Sequence, residues 1–185
     1  MMPSFPRRAA IVLIPALLLI VTPARAQSGS LPDAWRLPAA GETDAPWRTD
    51  DPDRHLRAAG DFNGDGESDT ALVLIAEETG PNGLPAAIGV FAFLSQPGGG
   101  RRLQTVRILE HPLPVDFPQF GIAARPPGRY VTACGAGYGD GCAPGEPEAV
   151  ELRNAGIECC LFESVTGLLW WNADTGRFDG VPISD

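Results

Sequence analysis

The sequence predicts an all-β, mostly antiparallel domain of about seven to nine short strands. Three observations carry that prediction. Runs rich in β-branched, aromatic and aliphatic residues recur along most of the chain. Gly, Pro, Asn and Asp bound each run, as turn chemistry requires. No stretch holds a helical period over three turns. The same strands fit a sandwich, a barrel or a partial-propeller arrangement.

The elements follow in chain order. Residues 1–26 have the three parts of a cleavable signal peptide. Arg7 and Arg8 supply the positive end, 9–21 is an apolar run broken only by Pro15, and Ala24-Arg25-Ala26 gives a small-x-small cleavage pattern. The apolar run is shorter than the roughly 20 residues a membrane-spanning helix needs. No other segment is long and apolar enough to cross a bilayer. The prediction is therefore a periplasmic or secreted protein, with no membrane span after cleavage, starting near Gln27.

Residues 27–54 read as an irregular lead-in, rich in Pro, Ala and Asp, with Trp35 and Trp47 as its anchors. A single β domain then spans 55–185. Its runs are 70–76 (TALVLIA), 87–94, 103–109, 129–134, 149–152, 157–164, 167–171 and 177–183. The segments 154–156 and 172–176 have the residues that hairpin turns use.

Charge narrows the function classes. The chain has 14 basic and 23 acidic side chains and no lysine, for a net charge of −9. Loss of the signal removes three Arg and no acid and takes the net charge to −12. So acidic a chain repels nucleic acid and anionic lipid headgroups and attracts metal cations.

Four cysteines, Cys134, Cys142, Cys159 and Cys160, lie beyond the signal. In an oxidising compartment disulfides are the default, and four cysteines allow three connectivities. Glycines at 135, 137, 139 and 141 let the chain turn sharply and favour Cys134–Cys142. Cys159 and Cys160 are neighbours. They read as structural cysteines, because there is no Cys-x-x-Cys and no nearby His to make a redox or soft-metal site.

One segment carries metal chemistry. In Asp61-Phe62-Asn63-Gly64-Asp65-Gly66-Glu67-Ser68-Asp69, oxygen-bearing side chains fall at loop positions 1, 3, 5 and 9, with Gly at position 6. Calcium takes six to eight hard oxygen ligands, and this spacing wraps them around one point. Three close carboxylates repel one another, and a divalent cation relieves that repulsion. The Glu67 carbonyl falls at the position where EF-hand loops use a backbone ligand. Position 12 is Leu72, so the loop is not an EF-hand.

The stretch 59–66, followed by Asp69 and an apolar strand, resembles an FG-GAP/VCBS repeat. In that family Asp-x-Asn-x-Asp-Gly-x-x-Asp is a calcium loop between two strands. The resemblance implies Asp61, Asn63, Asp65 and Asp69 as side-chain ligands and Glu67 as a backbone ligand. It covers about 20 residues in one copy, and a propeller needs roughly four or more blades, so the family's full architecture does not carry over. The segments 60–66, 132–138, 145–147 and 162–185 also resemble a group of small exported bacterial proteins. That resemblance implies a compartment and no activity.

The remaining motifs point elsewhere with less force. The Gly-rich run 134–142 lacks the register and the Gly-Lys-Ser/Thr ending of a phosphate loop. His55 and His111 have no nucleophile and orienting acid at recognisable spacing. Asp50, Asp51 and Asp53 read as a solvated charge cluster. Trp170 and Trp171 point to opposite faces of a strand, where they pack in the core or stack on a sugar.

The leading expectation is an exported, calcium-stabilised β domain that acts as a binding or interaction module toward a protein or glycan, with no catalytic activity apparent. The first alternative is an exported hydrolase or carbohydrate-active enzyme using Glu146 with Glu148, or Glu158 with Glu163. The second is an envelope-assembly factor or inhibitor working through the disulfide loop and the Trp face.

Overall fold

The structure, a computed structural model, describes residues 30–161 and 166–183. The expected signal peptide 1–26, the start of the lead-in, and residues 162–164 of the expected strand 157–164 lie outside the described residues. What is described is nearly all β. Eleven strands form a five-stranded, a four-stranded and a two-stranded sheet, with every pairing antiparallel and no closed barrel.

The first sheet is built on β3 (Asp69–Ala76) and β4 (Ala87–Ser95), followed by the edge strand β5 (Arg101–Glu110). β1 (Trp35–Arg36) and β2 (Arg57–Gly60) pair with opposite ends of β3. The runs of β3 and β4 are continuously apolar because both faces of the sheet are covered. Ala71, Val73 and Ile75, with Ile88, Val90 and Ala92, face the main core. Leu74, Phe91 and Phe93 face the other way and pack under Leu31 and Trp35 of the lead-in. Trp35 meets Phe91 edge-on, with ring centroids 4.7 Å apart. Gly89 makes that approach possible, since a Cβ there would lie 3.2 Å from the Trp35 ring.

The second sheet runs β11 (Arg177–Pro182), β10 (Thr166–Asn172), β9 (Gly156–Leu161) and β6 (Phe120–Arg125). Its inner residues Ile122, Ile157 and Cys159 join the core of the first sheet, so the two sheets form a sandwich around one apolar layer. On its outer face, Leu168 is buried beneath the hairpin of β7 (Gly128–Val131) and β8 (Ala149–Leu152). Trp171 and Trp170 divide between the two faces. Trp171 packs on Phe178 at 5.5 Å within the core, and Trp170 packs with the outer cluster.

All eight runs read from the sequence contain strands, although the run 129–134 leaves its strand after Val131 for a bridge at Thr132 and a turn at Ala133 and Cys134, and three strands are additional. β2 reads Arg-Ala-Ala-Gly and β6 reads Phe-Gly-Ile-Ala-Ala-Arg. Both are rich in alanine, which has little intrinsic strand preference, and both are made strands by their neighbours. β1 lies inside the lead-in, which is thus not irregular throughout. It also contains a 3₁₀ turn over Pro46–Arg48. The turn at 154–156 does not close a hairpin. β8 belongs to the outer sheet, and Gly156 pairs with Arg125 of β6, so this turn carries the chain between sheets. The turn at 172–176 does close one, with Asn172 Oδ1 accepting from the N–H groups of Asp174 and Thr175 at 2.9 and 3.2 Å.

The lead-in is fastened by Arg48, which is 2 % exposed. Its guanidinium donates to four main-chain carbonyls: Arg54 O at 2.9 Å, Thr43 O at 2.6 Å, Pro118 O at 3.1 Å and Phe120 O at 2.7 Å. It also lies 4.0 Å from the centroid of the Trp47 ring. Burial lowers its pKa to about 10, and the Asp44 charge opposes that shift. The group stays charged at neutral pH and cross-links three stretches of chain. Replacing it with Met leaves buried carbonyls without donors, each worth about 1–3 kcal/mol. Arg48→Met is expected to lose about 3 kcal/mol in urea unfolding. Arg48→Lys should recover only a small part of that, because one ammonium cannot reproduce the planar fork.

Candidate metal centre

The loop 61–69 joins β2 to β3. Gly60 and Asp69 face each other as the last pair of that ladder, so the loop closes tightly. Phe62 is fully buried in the main core and anchors it from within. Gly64 and Gly66 have φ of +80° and +85°, where a side chain is strained. At Gly64 there is also no room, because a Cβ would overlap the Asn154 side chain. The Ala155 N–H donates to Asp61 O at 3.0 Å. The loop therefore leans on the turn that leads into the second sheet.

Each expected ligand has a defined place. Asp61 accepts at Oδ1 from the N–H groups of Gly64 and Asp65, at 2.7 and 3.1 Å, and at Oδ2 from Gly66 at 2.9 Å. Asn63 Oδ1 accepts from the Asp65 N–H at 3.1 Å, and its Nδ2 donates to Asp65 Oδ2 at 3.1 Å and to Ser95 O at 3.1 Å. Asp65 Oδ1 accepts from the Glu67 N–H at 2.9 Å. Asp69 is fully buried. Its Oδ2 accepts from Phe62 N–H at 2.8 Å and Asn63 N–H at 3.3 Å, and its Oδ1 accepts from Ser95 N–H at 2.7 Å.

Ser95, the last residue of β4, completes the cluster. Its Oγ lies 2.8 Å from Asp69 Oδ1, and 3.0 and 2.8 Å from Asp65 Oδ1 and Oδ2. A hydroxyl has one proton to donate. It can serve one of these carboxylates at a time, and the other then faces an oxygen lone pair. The cluster is short of positive charge at this point. The Glu67 N–H foremost, then the Ser95 hydroxyl and Asn63, hold the Asp65 pKa below the ordinary carboxylate value, against a small opposing effect of desolvation.

Ser95 carries no motif and could not be read from the loop. Its place follows from the β3–β4 register, which pairs Thr70 with Phe93 and so brings the end of β4 beside Asp69. Beyond it, a cleft of ≈ 500 Å³ lies between the loop and the turn after β4, lined by Asp65, Glu67, Ser95, Gln96 and Arg101. Among the described residues, no three Asp, Glu, His or Cys side chains are already gathered at metal-binding separation.

The other sequence candidates lie away from this loop. Glu158 is buried and pairs with Arg125 on the neighbouring strand. Glu163 lies outside the described residues. Glu146 Oε2 accepts from the Ala143 N–H at 3.1 Å, and Glu148 O accepts from the Thr132 N–H at 3.0 Å. His55 Nδ1 is 3.2 Å from Ile122 O, with its ring edge-on to Trp47 at 5.3 Å. Asp51 Oδ1 accepts from the Asp53 N–H at 3.2 Å, a local turn contact. Cys134 and Cys142 are bonded, with Cα atoms 4.7 Å apart, and close the Gly-rich loop. Cys159 and Cys160 are bonded to each other across a cis peptide. No helix of the described residues is long and apolar enough to cross a membrane.

Comparison of the chain with family models, curated proteins and solved structures returns no match.

Two outcomes follow from the loop. Asp69→Asn places amide hydrogens against N–H donors in a fully buried position. It is expected to lower stability by about 3 kcal/mol in urea unfolding. Asp65 has a depressed folded-state pKa, so its contribution is complete above the unfolded value of about 3.9 and is lost as pH falls through the folded value. Stability of the wild type should fall more steeply below pH 4 than that of Asp65→Asn, read from melting temperature against pH.

Proposed function

We propose that this chain is an exported, calcium-stabilised β domain of the periplasm or the cell exterior, and that it works as a binding module rather than a catalyst. One observation carries the metal reading. Asp65 and Asp69 converge on a single Ser95 hydroxyl that has one proton for both. A divalent cation supplies the missing positive charge.

The donor set fits a hard ion. Asp61, Asn63 and Asp65 present only oxygen acceptors and an amide, and the Glu67 carbonyl belongs to the same short turn. Oxygen ligands of mixed charge, from a loop with two glycines in the left-handed region, suit calcium better than thiolate- or imidazole-seeking metals. Asp61, Asn63, Asp65 and Asp69 would hold the ion by side chains and Glu67 by its carbonyl. The bound ion would neutralise the carboxylates and fix the turn between β2 and β3. Because Asp69 also holds Ser95, that turn would be tied more firmly to the end of β4.

The signal-like N-terminus, the acidic balance and two bonded cysteine pairs support the extracytoplasmic assignment. Glu158, buried and paired with Arg125, is committed to the fold, which favours a binding role, with a protein or glycan as partner.

Calorimetric titration of calcium into the oxidised, exported protein tests this reading. One saturable ion is expected, and none in the Asp61→Ala/Asp65→Ala variant. Calcium at about 100 times its Kd should add about 2.7 kcal/mol of stability, raising the melting temperature by roughly 5–10 °C. EDTA should reverse the shift. An absence of heat together with an unmoved melting temperature would leave the loop as an acidic turn and end the calcium assignment. N-terminal sequencing of the exported protein is expected to begin at Gln27.

A further inference from the structure

A second site lies at the open end of the sandwich, away from the metal loop. Two inward-facing positions of the second sheet are glycine. Gly167 of β10 pairs with Pro182 of β11, and Leu169 pairs with Gly180. Neither glycine sends a side chain toward the first sheet, so the apolar layer is thin there. What faces this gap is β5, an edge strand paired on one side only. β5 is bulged, since Val90 pairs with Arg107 but Phe91 pairs with Thr105, leaving Val106 as the extra residue. Bulges re-aim side chains, and here both Val106 and Arg107 line the gap.

The result is a cleft of ≈ 340 Å³ whose walls include Leu109, Leu169, Phe178 and the bonded Cys159–Cys160 pair. That volume lies within the range of small-molecule sites, which are mostly apolar with a few polar groups that fix orientation. The polar group is Arg107. It shares register with Val90, a residue of the inner face, and is exposed at the cleft. Among the described residues its guanidinium makes no hydrogen bond or ion pair. Arg102, the other inward-register arginine of β5, is already engaged, lying over Trp171 at 5.6 Å and donating to Gly176 O at 3.4 Å. In a chain of net charge −9, one unpaired cation over an apolar cleft selects for an anion with an apolar body.

We propose that this cleft binds a small amphipathic carboxylate, its apolar body against Leu169, Phe178 and the Cys159–Cys160 bridge and its carboxylate on Arg107. The site is independent of the calcium loop. An arginine on an edge strand also discourages strand-to-strand association, but that role requires no cleft and no discrimination between a charged and an uncharged ligand.

Octanoate and 1-octanol are the probes, titrated by calorimetry into the oxidised, exported protein in EDTA so that the metal reading does not enter. Saturable one-to-one binding of octanoate is expected, with octanol weaker. Arg107→Gln should weaken octanoate at least tenfold and leave octanol unchanged, with an unaltered urea midpoint. Val106→Trp, which fills the cleft, should abolish both. In the wild type, nuclear Overhauser contacts from the octanoate chain should reach Leu169 and Phe178, a measurement that stands even where the Trp variant does not fold. Failure of the wild type to bind octanoate saturably would overturn the proposal. So would equal weakening of both probes by Arg107→Gln, or Overhauser contacts to other residues only.

Discussion

The structure around the loop depends on one buried carboxylate. Asp69 sits at the first position of β3, wholly removed from solvent, and accepts from main-chain N–H groups on two elements. An ionised group at such depth is tolerable only when surrounded by donors. The chain supplies them by folding Phe62 and Asn63 back over β3 and by ending β4 at Ser95. Without that charge the loop would have no reason to turn inward, and the end of β4 no partner at its side. The two central strands of the first sheet and the acidic loop are therefore one unit. Whatever the loop binds is felt directly by the ladder between β3 and β4.

This arrangement explains what could and could not be read from the residues. β3 and β4 were visible as unbroken apolar runs because a layer covers each of their faces, and the turn at 172–176 was visible because Asn172 caps it locally. β2 and β6 were not visible. Their alanines are held in strands by what stands opposite, Ala71 and Thr70 for β2 and Glu158 and Ile157 for β6, and that is a property of the partner strand. The oxygen spacing of 61–69 announced the loop, since ligand periodicity is local information. Ser95 was silent, because its importance arises from register across a hairpin 26 residues away. Arg107 was silent for the same reason. A bulge decides which way it faces, and a bulge leaves no mark in a string of residues.

The fold separates its tasks by location. The acidic oxygen cluster gathers where β2, β3 and the end of β4 meet. The apolar cleft opens at the edge strand, between the bulge in β5 and the glycines of the second sheet. The pinned glycine loop of 134–142 projects from a third place, with Tyr138 exposed near its tip. Each is held by main-chain hydrogen bonds or a covalent bridge, so a change at one need not disturb the others.

The Arg48 fork has a consequence for the order in which the chain takes shape. Its guanidinium comes early in synthesis, yet one of its strongest acceptors, Phe120 O, arrives 72 residues later. A chain made from its N-terminus must carry this cation without its full set of acceptors until β6 has emerged and paired. The lead-in is thus a latch, first out and fastened late. Leu74, Phe91 and Phe93 need not wait with it, since Trp35 covers them through the pairing of β1 with β3. What stays unfinished until β6 arrives is the fastening of the second half of the lead-in, so the chain closes on itself from the first sheet outward.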